Sequence, residues 1–420
     1  MSEPNSAPNA PVLREVLRAP SVTRYLVASF CISAGTFMQA AALGKQVYDI
    51  TGRELDIGIV GLLEFAPAAL LVLVAGYVAD RFNRRTVAMC ALSAEILCAG
   101  ALFLYGRHEQ TSVVPIFFIA FGFGVARAFM APATRAIPPL LAPENGLPRV
   151  VALHSATWNF ALIFGPALSG IFYSIGSQWP YFAAMLIMGL ALFLLGSVQF
   201  RRAQDQSVAE ERPSIAKAME GLRFIRRTPI LFAAISLDLF AVLFGGAIAL
   251  LPVIAEERLG VGDVAYGWLR ASAGIGALMM GLILIVLPVK RNVGRTLYIA
   301  VAVFGIATIV LGVTRSYAVA FFAVIVLSAA DMVSVFIRAS LVPLVTPDEA
   351  RGRVNAVENV FIGASNELGA FESGAVSQAA GVPFTVIGGG VATIAVVGVF
   401  WFAFPVLRRI NRFEDIETQV

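Results

Sequence analysis

The segment Pro139-Leu-Leu-Ala-Pro143-Glu is matched later in the chain by Pro343-Leu-Val-Thr-Pro347-Asp. The match continues without gaps, at a constant offset, to Gly170 in the first copy and Gly374 in the second. Hydrophobicity alone does not select proline, glycine and arginine at matching places, so we interpret the two stretches as copies of one structural repeat. The identical pairs are Pro139/Pro343, Leu140/Leu344, Pro143/Pro347, Arg149/Arg353, Val150/Val354, Ala152/Ala356, Gly165/Gly369, Ser169/Ser373 and Gly170/Gly374.

The composition around these repeats is typical of a membrane protein. Of 420 residues, 58% are hydrophobic and 14% are charged, whereas about 25% of the residues in soluble domains are charged. Apolar segments of about 20 residues, long enough to cross a bilayer, recur along the chain and are predicted to be helices, because lipid offers the backbone no hydrogen-bond partner. They lie near 25–47, 57–79, 86–106, 113–141, 151–175, 180–200, 230–255, 264–288, 295–314, 317–345, 354–379 and 383–407.

The repeat offset spans six predicted helices, an even number, so both copies have the same orientation in the membrane. We therefore predict an all-α membrane protein whose twelve transmembrane helices form two pseudo-symmetric six-helix bundles, with a substrate path between them. For 201–228 a helix lying on the inner leaflet is predicted, with a solvated basic linker as the alternative. The predicted divisions are an N-terminal tail (1–20), a first bundle (21–200), a cytoplasmic linker with a surface helix (201–228), a second bundle (229–407) and a C-terminal tail (408–420).

The distribution of Lys and Arg predicts the orientation. If the N-terminus is cytoplasmic, 22 of the 31 basic residues lie in cytoplasmic segments, five lie on the opposite side and four lie within apolar runs. This positive-inside bias places both termini in the cytoplasm. The N-terminus also lacks the pattern of a cleaved signal peptide, so the first apolar run is predicted to remain as a span.

Several function classes lack the residues that they need. Cys31, Cys90 and Cys98 lie in apolar stretches without disulfide or metal spacing, and His108 and His154 are the only histidines. The sequence contains no phosphate-binding loop, nucleophile elbow or dinucleotide fingerprint. We therefore expect no enzymatic activity, no metal and no cofactor. The basic residues alternate with apolar runs, which indicates topology and argues against nucleic-acid binding.

The loop between the second and third spans reads Gly76-Tyr-Val-Ala-Asp80-Arg81-Phe-Asn-Arg84-Arg85. It resembles the Gly-x-x-x-Asp-Arg-x-x-Arg-Arg signature of the major facilitator superfamily. The resemblance implies alternating access, with Asp80 as a latch on the cytoplasmic side. Its implied partner is the start of span eleven, Arg351-Gly-Arg353, with Arg135 as another possible partner. The counterpart in the second half, near Lys290, is degenerate.

In span five, Ala161-x-x-x-Gly165-Pro166-Ala-Leu-Ser169-Gly170 resembles the antiporter signature of the same superfamily, with Ala and Ser in place of two glycines. Small residues at this spacing allow close helix contact, and proline bends a helix. The resemblance implies export, whereas close packing without a directional meaning is the alternative.

Three further segments extend the resemblance over about residues 15 to 410. They are Leu237-Asp238 to Gly245-Gly246, Asp331 to Arg338, and Ser365-Asn366-Glu367 to Gly374, and they resemble a bacterial branch related to the enterobactin exporter. The resemblance implies a monomeric transporter in the bacterial inner membrane. It would export a small amphipathic molecule, siderophore-like or drug-like, in exchange for protons, and would contribute to siderophore export or multidrug resistance.

Ionisable residues within the spans are the candidate coupling residues, because each costs at least about 3 kcal/mol in a bilayer unless it has a partner, a cavity or a proton. Arg127 maps onto Asp331 under the repeat offset, so these opposite charges could face each other across the central path. Fixed ion pairs between helices are the alternative for each residue, and helix-to-helix hydrogen bonds for each Asn. The candidates are Asp238, Asp331, Glu367, Arg127 and Arg338 for proton coupling, and Glu64, Glu95, Asn159 and Asn366 for a substrate cavity.

Other functions remain open at this stage. Within transport, the alternatives are an uptake symporter and a lysophospholipid flippase. From another class, the alternative is a transport-inactive membrane scaffold or sensor.

Overall fold

The computed structural model describes residues 13–110, 112–199 and 215–416, without the side chains of residues 13–15, 73, 79, 80 and 215–218. The described chain is helical from α1 to α17, joined by short connections. The helices of residues 13–199, called here the first half, are α1 (Leu13–Arg18), α2 (Pro20–Thr51), α3 (Glu54–Arg81), α4 (Arg84–Gly106), α5 (Val114–Arg135), α6 (Pro138–Leu141), α7 (Leu147–Tyr173) and α8 (Trp179–Gly196).

Residues 215–416 form the second half. Its α-helices are α9 (Ile215–Arg227), α10 (Pro229–Phe244), α11 (Leu251–Val253), α12 (Asp263–Val286), α13 (Val293–Val313), α14 (Tyr317–Val345), α15 (Asp348–Ala380), α16 (Val382–Ala403) and α17 (Pro405–Arg409).

Local sequence explains where many of these helices begin and end. Proline occupies the first turn of α2, α7, α8, α10 and α16, where its missing N–H is not needed for the helix. The Asn83 side chain accepts hydrogen bonds from the N–H groups of Arg85 and Thr86 and so caps α4. Gly52 ends α2 with φ at 60°, a left-handed conformation that glycine adopts without strain.

Within the described residues, eleven helices are long and apolar enough to cross a membrane. The predicted span eleven, α15, is also long, with 33 residues, but is much more polar than the others. With α15 the twelve predicted spans are all present as helices. Because α15 carries Asn359, Asn366, Glu367 and Glu372, its polarity shows that it cannot be surrounded by lipid.

The helix ends form two faces of the bundle. The terminal face carries α1, α17 and the start of α2, and on it Arg85 donates a hydrogen bond to the Val198 carbonyl at 2.9 Å. The far face carries the ends of α2, α7 and α15. Both described ends of the chain therefore lie on one face, as an even number of crossings requires.

The cores of the two halves are largely separate. One buried cluster joins α2, α4, α5, α7 and α8 around Tyr25, Leu92 and Met188. Another joins helices of the second half around Leu237 and Leu341. A third cluster, on the far face, combines the two halves. It packs Tyr48 and Ile57 of the first half against residues between Ala247 and Val386.

Glycines bring two pairs of helices from different halves into backbone contact. A Cβ built on Gly374 of α15 would lie 2.6 Å from the Glu54 carbonyl oxygen of α3. A Cβ on Gly267 of α12 would lie 2.7 Å from the Gly170 Cα of α7. Both approaches are next to the far face, so the halves are held together most closely there.

Span seven changes its hydrogen-bond pattern along its length. After α10 it continues as a 3₁₀ helix over Gly246–Leu250, then through α11, and ends as a π-helix over Ile254–Arg258. Such stretches inside a helix commonly mark functional hinges.

The linker helix α9 begins at Ile215, within the predicted linker 201–228, of which residues 201–214 lie outside the described residues. Ile225 is buried in the core of the second half, and a Cβ on Gly221 would lie 2.8 Å from the Arg353 carbonyl oxygen. The described helix therefore packs on α10 and α15. Met219 is exposed on its other side.

Candidate functional site

A cavity of about 460 Å³ lies between the two halves. Helices α2, α3, α5 and α7 line it from the first half, and α10, α12, α13, α14 and α15 line it from the second half together with the 3₁₀ part of span seven. Its charged lining residues are Glu64, Arg127, Arg270, Asp331 and Glu367. The cavity therefore collects ionisable side chains that a lipid environment would not accept.

The charges from the first half are neutralised within that half. Arg127 of α5 forms an ion pair with Glu64 of α3, so both lie in the cavity wall as a pair. Glu95 is 1% exposed and lies behind the wall, where it accepts a hydrogen bond of 3.2 Å from the cavity-lining Thr36. This arrangement agrees with the structural alternative for Glu64 and Arg127.

Two carboxylates from the second half differ from this pair. Asp331 of α14 and Glu367 of α15 both line the cavity, and neither forms a hydrogen bond or ion pair with a described residue. The charged residues around Glu367 are Glu64, Arg127 and Arg270, and those around Asp331 are Asp238 and Arg338. Both carboxylates are thus available to a cation or proton that enters the cavity.

Asp238 and Arg338 form a buried ion pair at 2.8 Å, with 5% and 4% of these residues exposed. The Ser334 hydroxyl donates a second hydrogen bond to Asp238 at 3.0 Å, and Glu358 lies 3.4 Å from the other side of the guanidinium. Arg338 therefore pairs with Asp238 and Glu358. Asp331 and Arg338 share a helix, as the sequence indicates, but they do not form a direct pair.

Sequence reasoning did not select Arg270 as a candidate, although it lies within an apolar run like the chosen residues. Arg270 of α12 lines the cavity and lies beside Tyr266 and Glu367. The signal that identified Arg127 and Arg338, a basic residue inside a span, applies equally to Arg270.

The uncharged part of the cavity is largely apolar and aromatic. Phe37 and Trp158 pack edge to face, with ring centroids 4.9 Å apart, and both line the cavity with Phe304. Asn366 also lines the cavity, while its side-chain amide donates to the Ile362 carbonyl of its own helix. The Asn159 amide donates to Ser155 of its own helix, and Asn159 is not among the cavity-lining residues.

The predicted gating residues lie on the terminal face. Gly76 lies near the end of α3, and the Asp80 side chain lies outside the described residues, so its predicted latch stays a prediction. Arg353 forms an ion pair with Glu220 of α9 and donates to the Glu349 carbonyl. The remaining arginines lie as follows: Arg81 donates to the Tyr77 hydroxyl, Arg84 to the Ala136 carbonyl and Arg85 to the Gly196 and Val198 carbonyls, while Arg135 is exposed.

The antiporter-like segment of α7 lies between two helices. A Cβ on Gly165 would lie 2.7 Å from the Phe37 Cβ of α2, and one on Gly170 would lie 2.5 Å from the Asp263 carbonyl oxygen of α12. Pro166 is buried within the helix, and the buried Ser169 hydroxyl has no described hydrogen-bond partner. The segment thus joins the two halves through close packing. It leaves the direction of transport untested.

A charged network that sequence reasoning missed joins the two halves on the far face. Lys45 of α2 is 8% exposed, and its Nζ lies 2.8 Å from Glu256 and 3.9 Å from Asp263. It also pairs with Asp49, which accepts a 2.6 Å hydrogen bond from Tyr173. We call Lys45, Asp49, Glu256 and Asp263 the far-face network. The only available signal was a lysine within the apolar residues of span one.

Comparison with known proteins identifies related sequences over almost the whole chain. Residues 7–416 match the profile of a major facilitator family described as transmembrane secretion effector. The multidrug efflux pump Tap of Mycolicibacterium fortuitum is 25% identical over 407 residues, which cover 92% of this chain and 96% of that protein. Macrolide efflux protein A of Streptococcus pyogenes is 24% identical over 242 residues, which cover 56% of this chain and 58% of that protein.

Solved structures support the same fold. A D-xylose–proton symporter superposes with a TM-score of 0.69 at 14% identity, covering 91% of this chain and 97% of that chain. The human organic anion transporter MFSD10 superposes with a TM-score of 0.64 at 14% identity, covering 94% and 100%. These relatives are transporters rather than enzymes. The narrower resemblance to the enterobactin exporter is not confirmed by these matches.

Proposed function

Because the chain belongs to the transmembrane secretion effector family of the major facilitator superfamily, we propose that it is a proton-coupled exporter of lipophilic cations. The observation that carries this proposal is the central cavity, where Asp331 and Glu367 remain unpaired while Glu64 is neutralised by Arg127. The relatives named for multidrug and macrolide efflux support drug-like export as the class of transport.

The cavity wall matches an amphipathic ligand that carries a positive charge. Phe37, Trp158 and Phe304 offer aromatic faces that bury apolar groups and attract cations. An ammonium or phosphonium group near Glu367 would be attracted by an otherwise unpaired carboxylate. Outside the Arg127–Glu64 pair the lining carries two carboxylates, Asp331 and Glu367, against one cation, Arg270, so an anionic ligand is disfavoured. Between the two expected substrate types we therefore favour the drug-like one over a catecholate siderophore.

Proton exchange follows from the same two carboxylates. A carboxylate withdrawn from water favours its neutral, protonated form, and a nearby positive charge favours the ionised form. A cationic ligand in the cavity and a proton on a cavity carboxylate therefore oppose each other. A transporter in which the bound cation and the bound proton disfavour each other can exchange the cation for the proton across the membrane.

We propose that the terminal face is cytoplasmic, since the basic residues concentrate on it. The far-face network and the glycine contacts of α3 with α15 and of α7 with α12 then seal the cavity on the outer side. On the cytoplasmic side, Trp158 and Asn366 are exposed. The two halves would rock about the far-face contacts, with the predicted bundles 21–200 and 229–407 as the moving units and the protein acting as a monomer.

Inverted inner-membrane vesicles test the proposal. Vesicles that contain the protein should concentrate tetraphenylphosphonium when their interior is acidified, because inward pumping into inverted vesicles corresponds to export from the cell. Collapsing the proton gradient with an uncoupler should release the probe. Vesicles without the protein provide the baseline.

Two outcomes would contradict the proposal. Accumulation in right-side-out vesicles instead would indicate uptake. Failure of the proton gradient to drive any of several lipophilic cations, with the protein correctly inserted, would favour a flippase or a transport-inactive scaffold.

A further inference from the structure

A second, much smaller cavity lies inside the second half, beside the central one. Its volume is about 10 Å³, close to the space that one water molecule needs. Two carboxylates, Asp238 and Asp331, line it together with Ser334. We call this space the side chamber. Its other lining residues are apolar: Ala241, Val242, Val301, Phe304 and Ala330.

Asp331 is the shared boundary of the two cavities. It lines the side chamber and the central cavity, as Val242 and Phe304 also do. On the chamber side it faces Asp238, whose carboxylate forms an ion pair with Arg338 and accepts a hydrogen bond from Ser334. Asp331 itself, which is partly exposed to the central cavity, has no hydrogen-bond or ion-pair partner among the described residues. A carboxylate beside a polar, water-sized space is therefore left without a paired counter-charge.

The charges around Asp331 leave an excess of carboxylates. The charged groups around it are Asp238 from α10 and Arg338 on its own helix, and Arg338 is in turn held between Asp238 and Glu358 of α15. The packed helix α13 contributes only the apolar Val301 and Phe304. Across the central cavity lie Arg127, Arg270, Glu64 and Glu367, of which Arg127 is paired with Glu64. One guanidinium thus faces three acids in this cluster.

From this arrangement we infer that the side chamber is the proton-loading site, and that it is separate from the drug-binding part of the cavity at Glu367. One water molecule in the chamber hydrogen-bonds Asp331 and Asp238. Asp331 takes up one proton from solvent and later releases it to solvent. Arg338 holds the Asp238 carboxylate in its ion pair throughout. This inference rests on the proposed function and divides its two tasks between Asp331 and Glu367.

The separation has a physical basis in the shape of the site. The chamber is too small for any organic cation, and its apolar walls leave room for no second polar ligand. Glu367 belongs to α15 on the other side of the central cavity, and its carboxylate lies close to Gly61 of α3. A drug bound against Glu367 and the aromatic wall would influence Asp331 through its charge, without occupying the chamber.

Two isosteric variants, Asp331→Asn and Glu367→Gln, test the division in proteoliposomes that contain the full chain. Three measurements are made with tetraphenylphosphonium: equilibrium binding, exchange of labelled for unlabelled probe without a gradient, and accumulation driven by a proton gradient. Size-exclusion profiles establish that each variant is folded. Asp331→Glu, which restores a titratable carboxylate, serves as the rescue variant.

For Asp331→Asn, whose amide mimics the protonated carboxyl, we expect binding to weaken less than in Glu367→Gln and exchange to be retained, but accumulation driven by the proton gradient to be lost. Asp331→Glu should recover part of that accumulation. For Glu367→Gln we expect binding weakened by about tenfold or more, because a charged partner of the cation is removed. The parent should release protons when tetraphenylphosphonium binds. This release should be absent in Asp331→Asn.

Other results would overturn the inference while leaving the proposed function intact. Equal loss of binding in both variants would mean one shared site for drug and proton. Retained proton-driven accumulation in Asp331→Asn would exclude Asp331 as the proton acceptor. Accumulation driven by a sodium gradient at constant pH would assign the chamber to Na⁺. If the parent protein itself fails to accumulate the probe under a proton gradient, the proposed function fails and the inference fails with it.

Discussion

At the scale of single residues, four of the described acids inside the spans fall into two groups according to whether they have a partner. Asp238 and Glu64 are held by arginines, whereas Asp331 and Glu367 face open space. A paired carboxylate keeps its charge and holds helices together, while an unpaired one can exchange ligands. The sequence identifies all four as charges inside spans, but only the structure separates them, because pairing depends on contacts between helices far apart in the chain.

The close approach of Gly61 to Glu367 leads to a first prediction. A Cβ on Gly61 would lie 2.5 Å from the Glu367 Oε2 atom, so Gly61→Ala must displace the carboxylate. We expect the affinity for tetraphenylphosphonium to fall about threefold to tenfold, which corresponds to about 1 kcal/mol. Thermal stability should hardly change, because the displaced atoms end a flexible side chain. The control is Gly189→Ala, where the added methyl meets nothing within 4 Å.

Breaking a buried ion pair and breaking a partly exposed one should lower the stability by different amounts. Arg338→Gln leaves Asp238 and Glu358 buried without their cation, and we expect a loss of about 3–5 kcal/mol in unfolding free energy. Arg353→Gln breaks only the partly exposed pair with Glu220 and should cost at most about 1 kcal/mol. Thermal unfolding in detergent measures both.

The double variant Asp238→Asn/Arg338→Gln controls this comparison, since it removes both charges of the pair together. It should be more stable than Arg338→Gln alone. If Arg338→Gln and Arg353→Gln prove equally mild, the Asp238–Arg338 pair does not contribute to stability as described here.

At the scale of helices, the contacts between the two halves depend on small residues at matched depths. Gly170 of α7 meets Gly267 of α12, and Gly374 of α15 meets the backbone of α3 at Glu54. Gly170 and Gly374 are also a pair in the internal repeat. The repeat therefore places equivalent glycines at the two contacts between the halves.

The contact between α7 and α12 predicts how a bulkier residue would shift the balance between the closed and the open far face. A side chain at Gly267 would collide with backbone atoms of Gly170 and Pro166, so Gly267→Val must push α7 and α12 apart near the far face. We expect the distance between spin labels at Ser174 and Val264, measured by double electron–electron resonance, to be longer than in the parent protein. Gly398→Val in α16, where nothing lies within 4 Å, should leave that distance unchanged. An unchanged distance in Gly267→Val would show that this contact does not limit opening.

Much of this element-level description could be predicted from the sequence. The apolar segments of the sequence located twelve spans, and all twelve are helices in the structure, although α15 is more polar than the other eleven. The 3₁₀ and π-helical parts of span seven could not be predicted, because its apolar residues follow no pattern that distinguishes these helices from an α-helix. The far-face network was missed because its acids lie near helix ends, where charges usually reach water.

At the scale of the whole molecule, the far-face network connects the two halves through one lysine. Lys45 separates Asp49 of the first half from Glu256 and Asp263 of the second half. Without this cation the three carboxylates would repel one another across the interface. The state described here is therefore stabilised by a single positive charge on the side that we assign to the exterior.

Lys45→Met tests this role. We expect the distribution of Ser174–Val264 distances to shift towards the open far face, by an amount equivalent to about 1–2 kcal/mol, a typical conformational coupling energy. Arg53→Met is the matched control, since Arg53 contacts Asp56 of its own half at 3.8 Å. A shift of the same size in both variants would indicate a general charge effect at this face and would contradict a specific role for Lys45.

Span seven joins a regular α-helix, which carries the buried Asp238, to an end with 3₁₀ and π-helical hydrogen bonding. Asp238 belongs to the regular α10, whereas Glu256 lies in the terminal π-helical stretch beyond the 3₁₀ turn. A bend at that turn would move the far-face end while the buried guanidinium–carboxylate pair stays in place. Under the exchange that we propose, mutations in that end should change how fast the transporter cycles without altering how many protons each cycle consumes.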